Sequence, residues 1–135
     1  GGYAVVAMNY DYAPDGKYPT PVIQMGEMVS HLAKIASQYD LDTSSVIVGG
    51  DSAGAQIAAQ FAVVNTTPGY SKTTGIPTTS MKRPLKGVIL FCGPYDLASS
   101  ATENSSLLKK WFINTIGWGY LGRRDWRKAP NWMTP

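Results

Sequence analysis

Five residues, Gly50-Asp51-Ser52-Ala53-Gly54, set a serine in a turn between two glycines. They follow the apolar run Val46-Ile47-Val48-Gly49 and precede Ala55-Gln56-Ile57-Ala58-Ala59-Gln60. A β-branched run, a G-x-S-x-G turn and an alanine-rich stretch read as strand, sharp turn and helix, the setting of a nucleophile elbow. The chemistry would be acyl transfer. A serine hydroxyl is a poor nucleophile at neutral pH, and it becomes useful where a tight turn lifts it toward a general base and fixed backbone donors. Gly50 and Gly54 stand where strand and helix pass closely, so that the turn needs no Cβ there, and the serine backbone is strained. The N–H of Ala53, at the start of the helix, points at a developing oxyanion and supplies one donor for it. The same five letters on a surface loop would lack the strand before and the helix after.

Other elements must hold that turn. Residues 4–10 read as a strand apolar on both faces, as in a parallel sheet covered by helices. Prolines and a glycine make residues 12–21 a loop. From 22 to 38 the apolar positions Ile23, Met25, Met28, Val29, Leu32, Ile35 and Ala36 recur at helical spacing. A second strand spans 46–50 and a helix 53–64. Residues 65–84, rich in Thr, Ser, Pro and Gly, read as a long exposed loop. A third strand covers 87–92 and stops at Gly93-Pro94. Residues 105–121 form an amphipathic helix interrupted at Gly117-Trp118-Gly119. Alternating strand and helix calls for a parallel sheet with right-handed crossovers, an α/β class in three α/β/α layers.

The bulk properties leave room for that fold and narrow the partners. With 135 residues, 44% hydrophobic and 16% charged, the chain can bury a core and carries no disorder signature. Apolar runs are strand-sized, so no membrane span is expected. The net charge of +3 comes from scattered pairs such as Lys82-Arg83 and Lys109-Lys110, not from a nucleic-acid stripe. Cys92, the single cysteine, sits in an apolar strand; it reads as a buried structural thiol and fits a reducing, cytoplasmic compartment. No His/Cys/Asp cluster has ligand spacing, so neither metal nor organic cofactor is expected. The opening Gly1-Gly2-Tyr3 runs straight into a strand pattern and residues 129–135 read as a loop, as in the middle of a larger protein.

With these residues the chain resembles the α/β-hydrolase superfamily, specifically esterases and lipases akin to hormone-sensitive lipase. The elbow is similar to that group's Gly-Asp-Ser-Ala-Gly. Asn9-Tyr10-Asp11-Tyr12-Ala13-Pro14 followed by Tyr18-Pro19 looks like its tyrosine/Ala-Pro loop, and residues 88–97 look like its next strand and turn. The likeness is close over 2–97 and looser beyond. Asp11 stands where the family carries arginine, and Gln24 near where it carries an acid, which alters a salt-bridge network without touching the chemistry. Gly1-Gly2 aligns with the run-in to the first strand, not with the family's upstream His-Gly-Gly-Gly oxyanion loop. The acid and histidine follow two further strands, in the order Ser, acid, His.

The resemblance therefore implies an α/β-hydrolase core incomplete at both ends, filling 1–135, with a cap or insertion over about 98–128. It implies a serine carboxylester hydrolase acting on a small-molecule ester through an acyl-enzyme on Ser52, the acid and histidine lying outside these residues. These 135 residues alone would then be inactive, and exposed sheet edges would let them self-associate. An amidase or deacetylase with the same triad is the alternative. A non-catalytic binding module of the same fold is the other, and the intact elbow argues against it. Within the chain, His31 precedes the serine and reads as an exposed helix residue. Asp96 reads as a structural turn acid, and Asp51 as a tether for a neighbouring loop. Trp111, Trp118, Trp126 and Trp132 read first as packing for a cap helix and second as lining for an acyl pocket.

Overall fold

A computed structural model of the chain describes residues 2–97, 99–100, 102 and 104–130. The first helix, α1 (Thr20–Ile35), starts with Pro21 in its first turn, where a missing N–H costs nothing, and runs into a short 3-10 turn, Ala36–Gln38. It buries Val22, Met25 and Val29, a stripe at helical spacing. Strand β1 (Ile47–Asp51) and strand β2 (Gly87–Phe91) pair in parallel, Ile47 opposite Gly87 and Asp51 opposite Phe91. Between them comes α2 (Ala53–Thr66), which packs on both strands and on α1. Its alanines allow the close approach: Ala55 and Ala58 are fully buried beside Ile57, Phe61 and Val64. The result is an open parallel sheet with helices, an α/β arrangement.

Residues 4–10 depart from the strand expected there. They carry no regular secondary structure, with Val5 91% exposed and Val6 46%. An apolar run becomes a strand only with a neighbour to complete its hydrogen-bonded ladder, and the described residues offer this one no partner. Met8 and Tyr10 still pack against the core, so the segment's far end is anchored.

Two other expectations change. Residues 65–84 contain a short helix, α3 (Tyr70–Thr74), bounded by Gly69 and Gly75 in left-handed conformations (φ 81° and 72°). The segment also sends Ile76 into the core, and the Thr79 N–H donates to Asn65 Oδ1 at 2.7 Å, so it is pinned rather than a simple exposed loop. Helix α4 (Leu107–Leu121) runs unbroken through Gly117-Trp118-Gly119. The reason is tertiary packing: a Cβ on Gly117 would lie 2.4 Å from the Trp126 ring, so that glycine is the seat of an indole. Ser106 caps α4 by accepting the Lys109 N–H, and Gly122 (φ 69°) ends it.

Candidate active site

At the carboxyl end of β1 the chain reverses through a single residue. Ser52 has φ 52° and ψ −116°, and α2 begins with the next residue. A positive φ is strained for any residue with a Cβ, on the order of 1–3 kcal/mol, and persists only where the surroundings over-determine it. They do so here from both sides. The Ser52 N–H donates to Phe91 O at 2.9 Å, extending the β1–β2 pairing by one residue. The Ser52 carbonyl accepts from the N–H groups of Ala55 and Gln56, at 3.1 and 3.2 Å, closing the first turn of α2. The side chain makes no capping hydrogen bond and is exposed, as is Ala53.

The flanking glycines differ. A Cβ on Gly50 would stand 2.3 Å from the Gly54 carbonyl carbon and 2.8 Å from the Ala55 nitrogen, inside backbone that cannot yield. A Cβ on Gly54 would meet nothing within 4 Å. The close approach of strand and helix is thus carried at Gly50. The first N–H groups of any helix lack intrahelical acceptors, and in α2 those belong to Ala53 and Gly54, beside the serine.

The other candidates separate from this turn. His31, the one histidine of the chain, lies on the exposed face of α1. Asp96 is exposed and its carboxylate accepts the Ser99 N–H at 2.9 Å, a turn-forming role. Asp51 is exposed and tethers no loop among the described residues. Cys92 corrects the sequence reading: it falls just past the end of β2, has φ 50°, and is exposed rather than buried. Because Asp51 pairs with Phe91, the two positive-φ residues Ser52 and Cys92 end adjacent strands side by side. No group of three or more His, Cys, Asp or Glu side chains is placed to hold a metal among the described residues.

A cavity of about 620 Å³ opens next to Ala53, within the size range of small-molecule sites. Its walls come from the 10–17 loop, the first turns of α2, Pro94 and Leu97 after β2, and the second half of α4. Of the four tryptophans, Trp118 lines this cavity, Trp126 is buried under Gly117, and Trp111 is largely exposed. Trp132 lies outside the described residues. The loop wall is held at Asp11 and Gln24, the two positions at which the resemblance implies other residues. Asp11 and Gln24 are joined twice, the Asp11 N–H to Gln24 Oε1 at 3.0 Å and Gln24 Nε2 to Asp11 Oδ2 at 2.7 Å. The pair is an amide and a carboxylate.

A buried polar chain behind the cavity escaped the sequence reading. Tyr120 Oη donates to Gln56 Oε1 at 2.8 Å, Gln56 Nε2 to Gln60 Oε1 at 3.5 Å, and Gln60 Nε2 to the Tyr18 hydroxyl at 3.1 Å. The Tyr18 and Tyr120 rings meet edge to face, 5.6 Å apart. Burial pushes both tyrosine hydroxyls well above their usual range, with the charge of Tyr70 adding for Tyr18 and that of Tyr18 for Tyr120. The chain ties α4 and the 10–19 segment to α2 one turn beyond the serine. Its sequence signal was the pair Gln56 and Gln60, four apart on an otherwise apolar helix.

Comparison with known proteins points one way. The family model described as alpha/beta hydrolase fold matches residues 1–132. A protein of Acanthamoeba polyphaga mimivirus described as an alpha/beta hydrolase is 33% identical over 60 residues, 44% of this chain and 17% of its own length. An acetyl esterase of Salmonella schwarzengrund is 29% identical over 62 residues, 46% of this chain and 19% of its own. The matched stretch is thus under a fifth of either relative. Among solved structures, a thermophilic carboxylesterase cloned from a metagenomic library superposes with TM-score 0.57 and 25% identity, covering 93% of this chain and 41% of that one. Esterase B of Lactobacillus rhamnosis superposes with TM-score 0.64 at 18% identity, over 83% of this chain and 36% of its own, a likeness of fold.

Proposed function

The chain belongs to the alpha/beta hydrolase fold family, and from that membership we propose that it forms the nucleophile-bearing core of a serine carboxylester hydrolase. The observation that carries the reading is the backbone of Ser52, held at positive φ between β1 and α2, with the residue exposed and its neighbour Ala53 lining a cavity. A scaffold used only for binding has no need of a strained serine at the carboxyl edge of the sheet, the edge where ligands of open α/β sheets bind. Ser52 Oγ attacks the ester carbonyl and the new C–O bond pushes charge onto the carbonyl oxygen. The Ala53 N–H, reinforced by the α2 dipole, stabilises that charge. The alcohol leaves with the proton taken from the serine, and water then releases the acid from the acyl-enzyme.

A histidine is needed to carry that proton, and His31 on the exposed face of α1 does not serve. We assign the base and its acid to residues outside these 135, so the 135-residue chain alone is inert toward esters and only the intact protein turns over. In this reading α4, within the cap or insertion expected over about 98–128, covers the cavity with its second half. Among the described residues the sheet has two strands and both its edges are unpaired, which would let the isolated chain self-associate. An exposed, single thiol fits a reducing compartment.

The acetyl esterase relatives and the carboxylesterase neighbour support an ester over an amide. The test is a matched panel of acyl esters and acyl amides on the intact protein and its Ser52→Ala variant. Ester hydrolysis lost by at least about 10³-fold in the variant supports the reading. Amide turnover exceeding ester turnover makes the enzyme an amidase, and undiminished hydrolysis in Ser52→Ala removes the serine from the mechanism.

A further inference from the structure

One wall of the cavity beside Ala53 changes abruptly in side-chain size. Helix α4 lines it with Thr115, Ile116, Gly119 and Tyr120, residues spaced to share a face. Between Ile116 and Tyr120, Gly119 leaves a gap. Glycine is the poorest ordinary residue for a helix interior, so each of the two glycines in α4 calls for a reason. Gly117 has one in the Trp126 ring. Gly119 has none among the described residues: of these, a Cβ there meets only Ala13 Cβ, at an ordinary 3.7 Å. Ala13 lines the same cavity, so alanine fits at 119 and anything longer has the cavity as its open space.

The rest of the lining says what the space suits. Pro14, Ile57, Leu97, Ile116 and Trp118 present apolar surface. Of the polar groups, Asp11 pairs with Gln24 and Tyr120 with Gln56, while Tyr10, Tyr12 and Lys17 also stand in the wall. The Lys17 stem lies across Gly122, where a Cβ would come within 2.4 Å of it.

We propose that Gly119 sets how long an acyl chain the cavity beside Ala53 accepts, because its missing side chain leaves room that a larger residue would fill. The proposal rests on the Ser52 reading for its chemistry, and on the cavity and Gly119 alone for its shape. Each methylene lost from an apolar site changes kcat/KM by about fourfold, so filling the gap with a leucine discriminates steeply between short and long chains.

The experiment compares p-nitrophenyl acetate, butyrate and octanoate on the intact protein, on Gly119→Ala, Gly119→Leu and Ile116→Ala. The octanoate-to-acetate ratio of kcat/KM is expected to fall at least tenfold in Gly119→Leu, to fall modestly in Gly119→Ala, and to rise in Ile116→Ala. In parallel, methyl octanoate binding is measured by calorimetry on Ser52→Ala, with and without Gly119→Leu; the leucine is expected to weaken it at least tenfold. Ser52-dependent hydrolysis with an unchanged chain-length ratio in all three variants overturns the proposal and leaves the serine reading standing. Hydrolysis that persists in Ser52→Ala overturns the serine reading, and the calorimetry then decides the cavity. Unchanged methyl octanoate binding in Gly119→Leu, or none to either protein, overturns the assignment of the cavity.

Discussion

Changing Gly50 and Gly54 to alanine, one at a time, tests the geometry of the elbow, because the motif treats them alike and the structure does not. At position 50 the new methyl would sit 2.3 Å from the Gly54 carbonyl carbon, 2.5 Å from its oxygen and 2.8 Å from the Ala55 nitrogen. Ordinary contact begins near 3.4 Å, so β1 and α2 must separate by about an ångström, and every atom in the way is backbone. Overpacking of this kind costs about 1–3 kcal/mol, and a rigid neighbour puts Gly50→Ala at the upper end. At about 3 °C per kcal/mol for a domain of this size class, the melting temperature should fall by roughly 6–9 °C. At position 54 the methyl meets nothing within 4 Å and the residue is helical. Alanine there should be neutral or should stabilise by about 0.5–1 kcal/mol. Thermal unfolding of the intact protein followed by circular dichroism measures both. Equal losses in the two variants, or a Gly50→Ala that melts with the parent, would refute the account of how strand and helix meet.

Three further outcomes follow from packing and polar pairing. Tyr120→Phe removes the donor to Gln56 Oε1 and should cost about 1–3 kcal/mol in a urea titration. Because the folded pKa values of Tyr18 and Tyr120 lie above the unfolded value of about 10, their contribution is intact below that pH and lost as pH rises past it. Alkaline unfolding should therefore begin above about pH 10 and be less steep in Tyr120→Phe; equal steepness would argue against the buried pair. Gly117→Ala must displace the Trp126 ring, and its overpacking cost of about 1–3 kcal/mol outweighs the gain of about 1 kcal/mol in helix propensity, with altered near-ultraviolet dichroism as the readout. Cys92, exposed at the end of β2, should react fully with Ellman's reagent in the native protein, and a thiol that titrates only after denaturation would contradict its placement.

What could be read from the sequence followed the local rules, and what could not depended on partners distant in the chain. α1, β1, α2 and β2 are each announced by apolar period and bounded by turn residues, and each forms within a few residues of its expected limits. The serine turn was legible for the same reason, since strand, turn and helix are consecutive. Residues 4–10 misled because apolarity describes what a strand would bury, while a strand exists through a ladder with another segment. Cys92 misled by the same route: a thiol in an apolar run is buried only if something covers that end of the sheet. Gly117 reads locally as a helix breaker, and its purpose lies at Trp126, nine residues on in the sequence and beyond the helix end. The Tyr120–Gln56–Gln60–Tyr18 chain joins residues up to 64 positions apart, a span no window along the sequence can see.

The claim on which the rest depends is that Ser52 is the nucleophile. The direct measurement is treatment of the intact protein with a fluorophosphonate, followed by proteolysis and mass mapping of the adduct. The account predicts one covalent adduct, on the peptide holding Gly50-Asp51-Ser52-Ala53-Gly54, absent in Ser52→Ala. An adduct on a different residue, or none in a protein that hydrolyses esters, would contradict it.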